Sequence, residues 1–251
     1  MPSSRYSVVL PFMACLLLVG GALGSTKANA QRTPAQKMDD ATEVLTAFTL
    51  ASNEDGIPAD LIARAQGIAV IPDVFRGGFF LGGRRGRGVL SIRSDDGSWT
   101  QPAFVTLTGG SVGWQFGVET IDLILIFANE ASVRAIERGR FTLGADATAV
   151  AGPAGRRATV AVTFKAEVYS YTRSQGLFAG AAFEGAKLGI DGDAALAFYG
   201  AGDAALTPAN NTPLSASAFL QVLRSAAIVS AGSNPPRSTE IEETQTFPLQ
   251  N

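Results

Sequence analysis

Glycine recurs throughout residues 67–200, between short apolar runs and frequent turn signals, and this pattern most restricts what the chain can fold into. Glycine inside a strand is typical of a bulge, a tight corner or a close approach of two backbones. Residues 88–93 alternate in polarity and are followed by Asp95-Asp96-Gly97, a strong turn signal. The region therefore predicts many short strands joined by turns.

Two largely apolar runs, residues 68–72 and residues 121–127 with Asp122 as the one charged side chain, give the strongest individual strand signals. Runs of this kind are typical of strands that are buried on both faces. We therefore predict that residues 121–127 lie at the centre of the core. Further strands are predicted over residues 88–93, 99–108, 111–119, 141–150, 157–164, 167–171 and 177–183.

Helices are predicted before and after this glycine-rich region, and in part within it. The pattern indicates helices over residues 38–50, 58–66, 130–138 and 215–229, with Pro58 in a first turn and Asn129 as an N-cap. Residues 191–199 are ambiguous, and Asp193 would cap the helical alternative. The predicted fold class is α+β: a curved antiparallel β-sheet or barrel-like core with peripheral helices at the N- and C-terminal ends.

The first thirty residues have the features of a targeting signal. Arg5 precedes an apolar stretch over residues 8–23, and Ala28-Asn29-Ala30 supplies a cleavage site. An uncleaved membrane anchor is the alternative, but the stretch is shorter than the roughly 20 apolar residues that a bilayer requires. We expect residues 1–30 to be a cleaved signal peptide and the protein to be exported, to the periplasm of a bacterial cell.

The remaining chain divides into three parts. Residues 31–57 form an N-terminal helical segment, and residues 58–230 form the main domain. Residues 231–251 contain two adjacent prolines, several glutamates and few large apolar groups, so we predict a disordered tail.

Several kinds of chemistry are excluded by composition. The chain has no histidine, and its one cysteine, Cys15, lies in the predicted signal. The commonest zinc sites, cysteine nucleophiles and Ser-His-Asp triads are therefore absent, and we predict no catalytic residue, metal or cofactor. Carboxylates such as Glu119, Asp122 and Glu167 remain for hydrolysis in principle, but an ion pair is the default role of Asp122. With 20 basic and 22 acidic residues, the chain has no general attraction to nucleic acid.

An arginine- and glycine-rich stretch is the strongest candidate for a binding site. Arg76, Arg84, Arg85 and Arg87 lie within twelve residues, without the spacing of a nucleotide-binding phosphate loop. A guanidinium group binds two phosphate oxygens at once through parallel hydrogen bonds. Beside them, Phe79 and Phe80 would contact acyl chains, and this combination suits a phospholipid or an anionic membrane surface. The alternative is a solvated basic hairpin whose phenylalanines belong to the core.

Residues 65–200 contain blocks that resemble the SYLF domain family and follow its order. The blocks are AQGIAVIP (65–72), GGFFLGG (77–83), GRGVL (86–90), DGSWTQP (96–102), GWQFGVETID (113–122), FTLG (141–144), AGPAGR (151–156), YSYTRSQGLFAG (169–180) and FYG (198–200). They cover most of the chain after residue 30, so the main domain, residues 58–230, is identified as a member of this family.

The resemblance implies phospholipid binding rather than catalysis. Eukaryotic SYLF domains bind phosphoinositides, and some bind or bundle actin filaments through basic residues near the start of the domain. Bacterial members are similar to exported lipid-binding proteins. The expected function is thus non-enzymatic phospholipid binding in the bacterial cell envelope, with the head group held by an arginine- and glycine-rich loop. The alternative is a structural or adaptor protein that binds another envelope protein.

Overall fold

The computed structural model describes residues 32–51, 56–139, 141–152, 166–174, 177–179, 185–200 and 212–232. Within these ranges it gives the backbone alone for residues 78–81, 111–118, 177–179 and 228–232. The predicted signal peptide, the predicted strand over residues 157–164 and all but the first two residues of the predicted tail lie outside the described residues.

Two long antiparallel strands, β1 (Gly67–Ile92) and β2 (Ala103–Phe127), form the main ribbon of the fold. Gly67 lies opposite Phe127 and Leu90 lies opposite Ala103. The turn predicted at Asp95-Asp96-Gly97 is present in the connection, where Gly97 has a φ of +80°. The prediction of several short strands here is wrong, because the glycines lie inside continuous strands and their backbones stay paired across the ribbon.

The ribbon curls so that the end of β1 packs on its own beginning. The N–H of Arg93 donates to Gln66 O at 2.8 Å. A Cβ added to Gly88 would overlap the carbonyl of Val70 and lie 2.7 Å from Ile71 Cα, so only glycine fits where the strand crosses itself. This confirms the predicted close approach of two backbones at a glycine.

A bulge in β1 marks the place where the ribbon bends. Ile71 pairs with Leu123 and Val74 pairs with Ile121, so two residues of β1 lie opposite Asp122 alone. The second of these, Asp73, has a φ of +50° and donates its N–H to Asp122 Oδ1 at 3.2 Å. A bulge adds twist and leaves one residue unpaired in the ladder, and here Asp122 accepts the displaced N–H.

Five shorter strands complete the sheet of the described residues: β3 (Phe141–Thr142), β4 (Ala149–Ala151), β5 (Val168–Ser174), β6 (Leu177–Ala179) and β7 (Lys187–Ile190). The order is β3-β7-β2-β5-β4, with β1 also on β2 and β6 on β5. The single strand predicted over residues 141–150 is wrong, because the N–H of Thr142 donates to Asp146 and closes a turn between β3 and β4. The sequence analysis did not predict β7.

The helices are α1 (Pro34–Leu50), α2 (Ala59–Arg64), α3 (Glu130–Glu137), α4 (Gly192–Tyr199) and α5 (Leu214–Gly232). Asn129 caps α3, because its side chain accepts the N–H of Ser132 at 2.9 Å, as predicted. The ambiguous segment is helix α4, but Asp191 caps it by accepting the N–H of Ala194, whereas Asp193 lies in the first turn. The α+β class with a curved sheet and peripheral helices is thus confirmed.

Two apolar clusters lie on opposite faces of the sheet. The first, against α1, α2 and α5, includes Met38, Leu45, Phe48, Ile62, Phe219 and Leu223. The second, where the two ends of β1 face each other and α3 packs, includes Ile71, Leu90, Leu107, Leu125, Phe127 and Phe141. The predicted central strand over residues 121–127 supplies side chains to both clusters. In the part of the chain that the structure describes, no helix is both long and apolar enough to cross a membrane.

Candidate functional site

The four predicted binding arginines lie on strand β1, and not on a loop as the sequence analysis assumed. Because side chains alternate along a strand, Arg85 and Arg87 share one face of the ribbon while Arg84 lies on the other. Arg76 follows the bulge, eight residues before Arg84. The structure therefore divides the predicted site into two groups.

Arg76 and Arg84 form the first group. Arg76 lies opposite Glu119 in the register, and Arg76 Nη1 is 3.7 Å from Glu119 Oε2. Partial burial, and then the positive charge of Arg76, lower the pKa of Arg84. The two guanidinium groups are thus close enough to repel each other, which favours an anion beside them.

The aromatic part of the prediction is only partly described. Phe80 pairs through its backbone with Gly113, but the side chains of Phe79 and Phe80 lie outside the described residues. Phe75, next to Arg76, is 46% exposed although it is large and apolar. An exposed phenylalanine therefore lies next to Arg76 along the strand, although alternation turns their two side chains to opposite faces.

Arg85 belongs to a row that crosses three neighbouring strands. Arg85 on β1 lies opposite Thr108 on β2, and Thr108 lies opposite Lys187 on β7. All three are exposed and point from the same face, since directly opposed residues share a face with Cβ atoms about 4.5–5.5 Å apart. Within the described ranges, neither Arg85 nor Lys187 has an ion pair. We call these three residues the basic row.

A parallel row lies two residues along the strands, where Arg87 is opposite Thr106 and Thr106 is opposite Gly189. Arg87 Nε is 3.9 Å from Asp191 Oδ2, which is too long for a hydrogen bond. This Nε is buried and has no hydrogen-bond acceptor among the described atoms. The donor is therefore unsatisfied, but it is not itself in contact with solvent.

Glycines make the surface around the basic row low and open. Gly83 lies opposite Gly110 at one side of the row, and Gly189 lies on the other side beside Lys187. A Cβ added to any of the three would have no heavy atom within 4 Å. The backbone is therefore accessible there, and a small group reaches the sheet between the long cationic side chains.

The sequence analysis missed Lys187, Thr106 and Thr108. Lys187 lies about a hundred positions after Arg85, and the pairing of β7 with β2 alone brings them together. A weak signal existed in the alternation of residues 105–108, where two threonines are separated by a leucine on the other face.

The carboxylates considered for catalysis have structural roles in the described chain. Asp122 Oδ2 accepts from Arg173 Nε and Nη2 at 3.1 and 2.7 Å, so its default role as an ion-pair partner is confirmed. Glu167 accepts from the Asn129 side chain at 3.2 Å and from the Thr148 N–H at 2.7 Å. Both groups thus join elements of the sheet.

Comparison with known proteins supplies the family. Residues 108–226 match the family model described as Ysc84, Las17-binding protein actin regulator. SH3 domain-containing YSC84-like protein 1 of Xenopus laevis is 38% identical over 170 residues, which are 65% of this chain and 50% of the relative. The human protein of the same name is 36% identical over 155 residues, or 59% and 45% of the two chains.

A yeast relative extends the comparison. LAS seventeen-binding protein 3 of Saccharomyces cerevisiae is 34% identical over 169 residues, which are 64% of this chain and 37% of the relative. The chain thus spans half or less of the length of these three relatives. The yeast relative is named for binding another protein, and none of the three names gives an enzymatic activity. No solved structure matches the chain. The family model and the relatives agree with the SYLF resemblance, and residues 108–226 belong to the Ysc84, or SYLF-domain, family.

Proposed function

We propose that this protein is a non-enzymatic phospholipid-binding protein of the bacterial cell envelope, exported to the periplasm. The observation that carries the proposal is the concentration of exposed or half-exposed guanidinium groups on one stretch of β1, beside the exposed ring of Phe75. Cationic groups attract the phosphate of a head group, and an apolar side chain beside them contacts the acyl region.

The two groups of arginines have different proposed roles in binding. Arg85 and Arg87 receive the head group on the open face, where Arg85 has no carboxylate partner among the described residues. Arg76 and Arg84 provide a second positive site on the other face. Phe79 and Phe80, on the same stretch of β1, are proposed to reach the acyl chains.

Native and denaturing mass spectrometry of the protein purified from its own host tests lipid binding directly. A phospholipid that is released on denaturation supports the proposal and identifies its head group. A lipid-free protein that also fails to bind anionic vesicles at low salt contradicts it.

Charge reversal tests the proposed residues. We expect the double substitution Arg84→Glu and Arg85→Glu to weaken binding to anionic vesicles strongly, because it replaces two attractions by two repulsions. Arg224→Glu on α5 is the matched control, since Arg224 is an exposed arginine outside the site. Equal binding by the double variant and the control would show that these arginines are not the site.

A second candidate function is protein binding, and the comparisons favour it. The family description names a Las17-binding actin regulator, and a relative is named for binding to the same partner. We therefore propose an adaptor that binds another envelope protein as the alternative. Recovery of one stoichiometric partner in a pull-down, with no lipid in the purified material, would favour it over lipid binding.

A further inference from the structure

We propose that the basic row, Arg85, Thr108 and Lys187, is a binding site for a phosphate group that carries two negative charges. The proposal rests on the proposed function only for the source of the phosphate, a lipid head group. A free phosphate monoester has the same chemistry, and the experiment below separates the two sources.

The first argument is the geometry of the row. The three residues lie on adjacent strands in the order β1, β2, β7, with Thr108 in the middle. Strands are about 4.8 Å apart, so the two cationic side chains start about 10 Å from each other. Both are long and exposed, so both are able to reach a phosphate group placed above Thr108.

The second argument is the balance of charge. Arg85 and Lys187 supply two positive charges, and neither has an ion pair within the part of the chain that the structure describes. Two nearby carboxylates have other partners: Asp191 pairs with Arg87 at 3.9 Å and caps α4, and Asp146 accepts the Thr142 N–H at 2.6 Å. Two unneutralised cations match a dianionic phosphate monoester better than a singly charged phosphodiester.

The third argument is the supply of neutral donors. The hydroxyl of Thr108 lies between the cations, and that of Thr106 lies one row away on the same face. Open glycines at positions 83, 110 and 189 leave room for the ligand beside these two hydroxyl groups.

The experiment compares three probes on protein purified from its own host. They are phosphatidylcholine vesicles containing phosphatidic acid, vesicles containing phosphatidylglycerol at equal surface charge, and inorganic phosphate alone. The variants are Lys187→Ala and Thr108→Val, with Arg224→Ala as the matched loss of an exposed cation elsewhere. Circular dichroism melting checks that each variant is folded.

The wild-type protein is expected to prefer the phosphomonoester vesicles. Lys187→Ala should weaken that binding about tenfold, and Thr108→Val by a few-fold, in line with loss of a charge-assisted and a neutral hydrogen bond. Arg224→Ala should bind as the wild type does. Equal binding by all variants would overturn the site and leave phospholipid binding intact.

The inorganic phosphate arm separates the source of the ligand from the site. If phosphate alone perturbs the amide resonances of Thr108 and Lys187 while no vesicle binds, the site stands for a soluble phosphate and the proposed lipid function fails. If neither phosphate nor vesicles bind the wild-type protein, the phosphate site itself is overturned.

Discussion

The β1–β2 ribbon contains two segments of opposite character, although the same two strands form both. In the apolar segment, residues 67–74 pair with residues 121–127, and Ile68 to Ile71 are at most 1% exposed. In the basic segment, residues 75–87 pair with residues 106–120, and Phe75 is 46% exposed. The backbone ladder runs through both, with register shifts between Ile71 and Val74 and between Gly78 and Phe80.

The difference lies in what covers the two faces of each segment. The apolar segment has β5 beside it, one apolar cluster on each face and helices beyond them. The basic segment carries charged and hydroxyl side chains that remain in contact with water. Burial therefore fixes the composition of the first segment, whereas the second is free to carry a binding surface. Substitutions should consequently affect stability in one segment and ligand binding in the other.

The largest loss of stability is expected from Phe127→Ala in the apolar segment. Phe127 is fully buried, and its ring meets that of Phe141 edge to face with centroids 5.5 Å apart. Removal of a buried phenyl ring leaves a cavity and costs about 3–5 kcal/mol. Urea denaturation monitored by circular dichroism measures the change, and a loss below about 1 kcal/mol would contradict the buried position.

The next largest loss is expected from Gly88→Ala, which should lower the free energy of unfolding by about 3 kcal/mol through overpacking. The added methyl group would collide with the backbone of Val70 and Ile71, where β1 crosses itself. Gly110→Ala is the control on the other strand of the same ribbon, because nothing lies within 4 Å of its Cβ position. Thermal melting of both variants should show a large drop for the first and almost none for the second. Similar melting temperatures would mean that β1 does not cross itself at Gly88.

The sequence was sufficient to predict the elements that depend on local signals. The central strand over residues 121–127 and the helix cap at Asn129 are both confirmed. Each depends on a few consecutive residues, because the strand is marked by its apolar side chains and the cap by a hydrogen bond to a residue three positions later. The same holds for the α+β class. The resemblance to a known family also predicted membership correctly.

Features that depend on distant pairing were not predicted. The glycines at positions 82, 83, 86 and 88 give this stretch the composition of a loop. It is a strand because these residues pair with β2. Lys187 joins Arg85 through Thr108 across two strand pairings, and no local pattern reports such a row. Asp191 rather than Asp193 caps α4 because the helix begins at Gly192, two residues before the start that a cap at Asp193 implies.

Asp122→Asn should cost about 1–2 kcal/mol, because it removes the charged acceptor of a hydrogen-bonded pair. Asp122 and Arg173 are 18% and 22% exposed in their side chains, so the remaining guanidinium group would be poorly solvated. The carboxylate also holds the N–H of Asp73 at the bulge. Equilibrium unfolding in urea measures the loss, and an unchanged midpoint would show that the pair contributes nothing to the bend.

Glu119→Gln, three residues earlier on the same strand, is expected to have the smallest effect on stability and therefore tests the comparison most sharply. Its pair with Arg76 is 3.7 Å long and nearly half exposed on both sides, so loss of the charge should cost less than about 0.5 kcal/mol. Arg76 would lose its competing carboxylate, and the proposed lipid site would gain one unit of positive charge. Binding to anionic vesicles should therefore increase at low salt, and the increase should disappear as salt screens the surface.

Two measurements on Glu119→Gln and Asp122→Asn separate the segments: co-sedimentation with vesicles at two salt concentrations, and unfolding in urea. Glu119→Gln should change vesicle binding without a loss of stability. Asp122→Asn should lower stability without a comparable gain in binding, since Arg173 lies beside the apolar segment. A stability loss for Glu119→Gln as large as that for Asp122→Asn would mean that the basic segment is held by its ion pairs, and that the division between a structural segment and a binding segment is wrong.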